Sequence, residues 1–167
     1  FMTPAGYSGA AIWSSTPALD TASNTVYVTT GNNYKIPLSA TACFTSAGSD
    51  PVAQKACVNP DNHVDSIVAL DMSTGRINWA TSALNYDSWN VACFFGGVNC
   101  PPGAGPDFDF GAGANLMTID MPGGGKIQVV GAGQKSGQYW MLDAATAHGF
   151  RFDTVQMPLN VMDPHYE

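Results

Sequence analysis

The residues able to carry chemistry in this chain are few, and they sit in turns. Four cysteines fall into two local pairs, Cys43 with Cys57 and Cys93 with Cys100, each inside a stretch rich in Gly, Pro, Ser and Asn. Close thiols either ligate a metal or oxidise. Zinc asks for tighter C-x-x-C spacing on a fixed turn, which neither pair has. Disulfides stapling two surface loops fit better, and they imply an oxidising compartment, secreted or periplasmic. Four unpaired thiols are the alternative, and four cysteines allow three connectivities. His63, His148 and His165 are scattered, without the spacing of zinc ligands. Gly123 to Lys126 has the composition of a phosphate loop but lacks its full spacing and a following helix.

A second set of candidates is polar and local. The stretch Thr29-Thr30-Gly31-Asn32-Asn33-Tyr34 ends a strand-like run in a glycine and two asparagines, where one small residue would turn the chain. Taken alone, an asparagine there closes an Asx-turn. Asp61, in Asn59-Pro60-Asp61-Asn62, has the same local reading as a turn or cap. Lys135, in Gly133-Gln134-Lys135-Ser136-Gly137, reads as a solvated hairpin lysine, and Trp13, just before a strand, as a core aromatic.

The elements that must position these residues are short. Candidate strands are Ala10 to Trp13, Thr16 to Leu19, Thr25 to Thr30, Ser66 to Asp71, Arg76 to Ala80, Ala114 to Ile119, Lys126 to Ala132 and Gln138 to Asp143. Hairpin tips lie at Ser73 to Gly75, Gly123 to Gly125 and Gly133 to Gly137. Almost no segment shows a sustained 3.6-residue period, so the expected fold is all-β. With 167 residues and 45% hydrophobic content, one domain with a real core is expected. Charged residues are only 11%, well under the roughly 25% of ordinary globular domains. The formal net charge of −7 leaves no basic footprint for a nucleic-acid backbone. No apolar run reaches the roughly 18 residues of a membrane-spanning helix. The first residue is Phe1 rather than Met, which suggests a processed chain or a piece.

A repeat is visible in the turns. Ser66 to Trp79 reads strand, tight turn, strand, around A-x-D-x-x-T-G-x-x-x-W. Trp140 to Thr146 begins the same unit, and Ala18-Leu19-Asp20 is a weaker copy. The physical logic is an aspartate that accepts turn amides, a glycine at positive φ, and a tryptophan packed on the neighbouring sheet. Serial hairpins of this kind point to propeller blades.

The unit resembles the tryptophan-docking motif of the quinoprotein alcohol dehydrogenases, eight-bladed β-propellers that carry pyrroloquinoline quinone (PQQ) and usually calcium. In order, Gly9 to Trp13, Val26 to Asn32, Pro60 to Asp71 and Gly133 to Gly137 are similar to the polyvinyl alcohol dehydrogenase branch, over about Gly6 to Thr146. The resemblance implies a role for each candidate. Trp13 matches the ring on which the quinone stacks, and Asn32 the asparagine whose side-chain oxygen binds calcium, a hard cation that takes neutral as well as charged oxygens. Asp61 matches the general base, close enough to share the calcium with Asn32. Lys135 matches the donor to the quinone oxygens. Asn33 is then only a turn residue.

The departures from that family are equally specific. There is no adjacent Cys-Cys pair, no C-x-x-C-H for covalent haem, and no upstream glutamate or arginine of the kind that completes the cofactor site. Ala147 and Arg151 stand where Gly and Trp are expected, and the tail 158–167 matches nothing in the pattern. The expected architecture is therefore a single propeller segment over 1–167, about three blades of an incomplete ring that an oligomer or a missing chain completes. Its implied function is oxidation of a small or polymeric alcohol by hydride transfer to PQQ, with the isolated chain inactive. The alternative is a non-catalytic, lectin-like module that binds glycans or a protein through its polar loops.

Overall fold

A computed structural model of the chain describes residues 3–12, 16–84, 86–101, 103–121, 123–145 and 155–156. Thr25, Tyr27, Val28 and Thr29 are buried along one short strand, and Ser66 to Ala69 along another. Such segments, shielded on both faces, belong in the middle of a sheet. They are β3 (Thr25–Thr29) and β5 (Ser66–Asp71), flanked by β2 (Ala18–Asp20) and β6 (Ile77–Ser82) in the order β2-β3-β5-β6, antiparallel throughout. A second four-stranded antiparallel sheet follows, from β7 (Asn115–Asp120), β8 (Lys126–Gly133), β9 (Gln138–Asp143) and β10 (Val155–Gln156) in sequential order. Two successive meanders of this type are propeller blades. A short ladder joins β1 (Ser8–Gly9) to β4 (Asn33–Lys35).

Most expected strands are present within two residues of their expected ends. The exception is Ala10 to Trp13: Ala10 takes φ +53, outside strand geometry, and Trp13 lies outside the described residues. Helices were not expected from an all-β reading, and the two longest lie close together. They are α1 (Leu38–Ala47) and α2 (Pro51–Cys57), inserted between β4 and β5. Helix α1 buries only Ala40 and Phe44, too narrow a stripe to show as periodicity. Those two pack with Ile36 and Tyr86, and the Phe44 and Tyr86 rings stack at 3.6 Å. The start of α2 is written locally: the Asp50 carboxylate accepts the Val52 and Ala53 amides, with Pro51 in the first turn.

Both cysteine pairs form the local disulfides, Cys43–Cys57 with Cα atoms 5.7 Å apart and Cys93–Cys100 with Cα atoms 4.7 Å apart. The first ties α1 to α2. The second closes a loop that begins with the single-turn helix α3 (Val91–Phe94).

The main core lies between the two sheets. Tyr27, Ile67, Ala69 and Trp79 of the first meet Val130, Ala132, Leu142 and Ala144 of the second, with Phe110 and Ala114 from the connection. The Tyr27 hydroxyl donates to the Ala144 carbonyl at 2.9 Å, so the ring is buried without stranding its polar end. The repeat works as its sequence suggests. Asp71 Oδ1 accepts the Ser73 amide and both the amide and hydroxyl of Thr74, Gly75 takes φ +71, and Trp79 is buried beside Tyr27 with ring centroids 5.9 Å apart. Asp20 and Asp143 make the same kind of turn, accepting the Ala22 and Ala145 amides.

Trp79→Ala should destabilise the fold by about 3–5 kcal/mol, as a large-to-small change in a packed core. Urea unfolding checks it, and a loss below about 1 kcal/mol would contradict the packing of one blade on the next. Opening Cys43–Cys57, by replacing both cysteines with serine, should cost about 3 kcal/mol for a loop of that length. An unchanged urea midpoint would show that the α1–α2 insertion is held by its apolar contacts instead.

Candidate cofactor pocket

The end of β3 is where the chain gathers its polar groups. Thr30 donates its amide to the Ser66 carbonyl, Gly31 to Ala11 and Asn33 to Asp87, while Ala10 donates to the Asn32 carbonyl. The approach of the opening segment is close: a Cβ on Gly9 would lie 2.2 Å from the Asn32 carbonyl oxygen, and Gly9 has φ +120, so only glycine fits. Asn32 and Asn33 are both buried, each 2% exposed. Neither closes a turn with its own side chain. Asn32 Nδ2 donates to the Trp89 carbonyl at 2.7 Å and, more weakly, to Asp87 Oδ1 at 3.4 Å. Asn33 Nδ2 donates to the Asp87 carbonyl at 3.1 Å, and its Oδ1 accepts from Asn62 Nδ2 at 2.9 Å. The turn role expected of Asn33 is corrected accordingly: it is a cross-link between distant loops.

Asp87 is the other half of that cross-link. Its Oδ1 accepts the Trp89 amide at 3.0 Å and its Oδ2 the Phe108 amide at 2.9 Å. Together these bonds hold the β3 end, the loop entering α3, and the Gly105 to Phe108 segment against one another. Gly105 lies so close that a Cβ there would come within 3.0 Å of Asp87 Oδ1.

The result is a cavity of about 430 Å³ lined by Asn32, Tyr34, Trp89, Asn90, Val91, Asp107, Asp109 and Lys135. That size lies within the ordinary range for a small-molecule site. Asn32 comes from the end of β3, Trp89 to Val91 from the start of α3, the two aspartates from the run before β7, and Lys135 from the β8–β9 turn. The last two are locked together. Lys135 donates its amide to the Asp109 carbonyl at 3.1 Å, and its ammonium bonds Asp109 at 3.0 Å and Asp107 at 3.1 Å. Burial works against the Lys135 charge, but the hydrogen bonds it donates to Asp109 and Asp107 outweigh it, and its pKa is raised. Burial, reinforced by Asp109, pushes Asp107 up to about 6, with Lys135 opposing.

A further carboxyl belongs to this neighbourhood without lining the cavity. Asp65 is fully buried at φ +45, and neither of its carboxyl oxygens has a hydrogen-bond partner. Burial, then the charges of Asp87, Asp109 and Asp107, push it up to about 9. The fold thus keeps Asp65 protonated at neutral pH, which is the cheaper state for an unpaired buried acid.

The structure brings two of the sequence candidates together and leaves one, Asp61, apart. Asn32 and Lys135, distant in sequence, line one cavity. Trp13 lies outside the described residues. Asp61 is exposed, its amide donating to Asn59 Oδ1 in an Asx-turn, and it is not among the residues lining the cavity. Asp107 and Asp109 were not singled out from the sequence. Their signal was the alternation Asp107-Phe108-Asp109-Phe110, in which Phe110 is buried in the main core and both carboxylates reach the cavity.

The donor set suits calcium and a quinone in part. Both hydrogen bonds of the Asn32 side chain use Nδ2, which leaves Oδ1, a hard neutral oxygen, without a hydrogen-bond partner among the described residues. Lys135 offers cationic N–H donors, Tyr34 and Trp89 offer aromatic surface, and two carboxylates favour a nearby cation. Among the described residues, no three His, Cys, Asp or Glu side chains converge to hold a metal by themselves. The residues therefore fit one wall of such a site.

The raised Asp65 pKa fixes the sign of a pH effect. The native state holds a proton that the unfolded chain has lost above about pH 4, so the stability it protects is present at low pH and lost as pH rises toward 9. Asp65→Asn, neutral at every pH, should raise the melting midpoint at pH 8 more than at pH 4.5. Equal shifts at both pH values would mean that Asp65 is not protonated in the fold.

No family profile matches the chain. It is 34% identical over 143 residues to the polyvinylalcohol dehydrogenase of Sphingopyxis sp. strain 113P3, a match covering 84% of this chain and 18% of that protein. Among solved structures, it superposes on the quinohemoprotein alcohol dehydrogenase of Comamonas testosteroni with a TM-score of 0.56 and 23% identity, over 92% of this chain and 18% of that one. A quinohemoprotein alcohol dehydrogenase from Pseudomonas putida HK5 gives a TM-score of 0.53 at 20% identity, over 85% of this chain and 16% of that one. The chain thus spans under a fifth of the length of these relatives and supplies part of a propeller ring. On its sequence and its blade architecture, it belongs to the quinoprotein alcohol dehydrogenase family, in the polyvinyl alcohol dehydrogenase-like branch.

Proposed function

We propose that this chain is the part of a PQQ- and calcium-dependent alcohol dehydrogenase that forms one wall of the cofactor and substrate pocket. The observation that carries the reading is the meeting of Asn32 and Lys135 with Asp107 and Asp109 around one cavity. When bound, the quinone supplies the hydride acceptor; the rest is done by side chains. Asn32 would hold calcium through Oδ1, its orientation fixed because Nδ2 is engaged by Trp89 and Asp87. Lys135, kept cationic by its two aspartates, would hold the quinone by donating to it and would stabilise negative charge there. Asp107 is the base suggested by the geometry: it lines the cavity, and a pKa of about 6 leaves it ionised at neutral pH yet able to take the alcohol proton as hydride leaves carbon. Asp61 is the rival, as base and as a shared calcium ligand with Asn32; its exposed turn would have to be brought to the site by parts of the ring beyond this chain. The alcohol is small or polymeric, and two disulfides suit a secreted or periplasmic setting. No helix among the described residues is long and apolar enough to cross a membrane.

The test is alcohol-dependent dye reduction by the full-length protein loaded with calcium and PQQ. Asp107→Asn should lower kcat by about 10²- to 10⁴-fold, the usual worth of a general base. Asp61→Asn should leave kcat within a few-fold, and wild-type activity should fall as pH drops below about 6, where Asp107 protonates. The reverse pattern, with Asp61→Asn inactive and Asp107→Asn active, would move the base to Asp61. If Asp107→Asn and Lys135→Ala both retain full activity, this cavity is not the reaction site. The isolated chain, holding one wall only, should reduce little dye.

A further inference from the structure

Helices α1 and α2 stand outside both four-stranded sheets. Their own core is the buried Ile36, Ala40 and Phe44, too little apolar surface to fix two helices without outside help. The help comes from the side that faces Asp87. Phe44 and Tyr86 lie ring on ring, with centroids 3.6 Å apart and planes 23° from parallel, and Tyr86 is the residue directly before Asp87. From the other end, the loop that leaves α2 sends Asn62 Nδ2 to Asn33 Oδ1 at 2.9 Å. Asn33 in turn donates its backbone amide and its Nδ2 to the Asp87 carbonyl, at 3.0 and 3.1 Å. One end of the insertion thus reaches Asp87 through its chain neighbour, the other through its carbonyl.

These two contacts are not independent of each other. Cys43 is the residue before Phe44, and its disulfide partner Cys57 ends α2 shortly before Asn62, so one covalent bond ties both arms. Cys57, Phe44, Tyr86, Asn33 and Asn62 also line one void of about 10 Å³. That leaves room for at most a single water where the helices meet the residues around Asp87. In packing this close, a shift of one side chain is passed to its neighbours. Asp87 then passes it to the cavity. Its carboxylate holds the amides of Trp89 and Phe108; Trp89 lines the cavity, and Phe108 sits between the two lining aspartates, Asp107 and Asp109.

We propose that Phe44 and Asn62 are positioning residues of the pocket, acting on Asp87 from opposite ends of the disulfide-tied α1–α2 insertion. The shape of the cavity is then set in part from outside, by side chains that do not line it. That its occupant is PQQ with calcium rests on the dehydrogenase reading above; the placement of Asp87 does not.

The experiment compares full-length wild type with Phe44→Ala, Asn62→Ala and, as a control on the exposed side of α1, Leu38→Ser. Hydrogen exchange read by mass spectrometry follows peptides containing Trp89 and Phe108, whose amides the Asp87 carboxylate accepts. Exchange there should quicken about tenfold in both alanine variants, while the β8–β9 ladder and the Leu38→Ser protein stay as in wild type. Loaded with calcium and PQQ, the alanine variants should also lose the quinone about tenfold faster on dilution into chelator, because a loosened pocket acts mainly on release. Phe44→Tyr, which keeps the stacking ring, should restore both readings. Unchanged exchange at Trp89 and Phe108 would overturn the proposal, as would a rise shared equally by the β8–β9 ladder, which would reduce the insertion to a general stabiliser. Faster local exchange with unaltered quinone release would overturn it too, since Asp87 would move without the pocket responding. Should Phe44→Ala fail to fold, Asn62→Ala carries the same tests, its change being one hydrogen bond. If wild type takes up no quinone, the dehydrogenase reading fails, and exchange at Trp89 and Phe108 still decides whether the insertion positions Asp87.

Discussion

The fold around the pocket depends on one buried residue, Asp87. Its carboxylate and carbonyl together accept from the backbones or side chains of Asn32, Asn33, Trp89 and Phe108. These groups belong to three segments that no sheet ladder joins. In the interior, bonds to a carboxylate are strong and an unmade bond is costly, so the three segments are forced into one arrangement. Glycines at positions 9 and 105 allow the close approach this requires. The pocket is what lies between the segments once they are tied.

A site tied by carboxylates inherits their repulsion. The charges of Asp87, Asp109 and Asp107 all bear on Asp65, and the fold answers differently at Asp65 and at Asp107. Asp107 and Asp109 share the lysine. Asp65, which has no partner, keeps its proton. The same imbalance makes the cavity receptive to a cation, and Asn32 Oδ1 is the neutral oxygen positioned beside it. Charge that would destabilise an ordinary interior is thus matched to the calcium that the proposed chemistry needs.

The sheets were legible because their signals are local. Asp71, Gly75 and Trp79 act within one hairpin, and each does what its type and spacing suggest. The disulfides were legible for the same reason. The helices were not: α1 rests on Ala40 and Phe44 alone, though Asp50-Pro51 announces α2 to a reader looking for caps. In the site, Asn32 and Lys135 could be selected only through a family resemblance, because alone each looks like a turn residue. Asp87 and Asp107 escaped for a deeper reason. Their importance lies in partners far away in sequence, and no local pattern records a contact between Asp87 and Asn32.

The same contrast explains why a strand should end in two asparagines. A single turn residue would serve the strand, but the pocket needs two amides with different tasks. Asn33 has both ends of its amide engaged, Nδ2 on Asp87 and Oδ1 on Asn62, and so acts wholly as a brace. Asn32 has one end engaged and the other free, which aims an oxygen without consuming it. Serine in place of Asn33 would turn the chain and lose the brace; aspartate in place of Asn32 would put another carboxylate beside Asp87 and forfeit the donor that orients it. Adjacent positions with opposite needs, one rigid and one available, are met by the same side chain because an amide carries a donor and an acceptor on a single planar group.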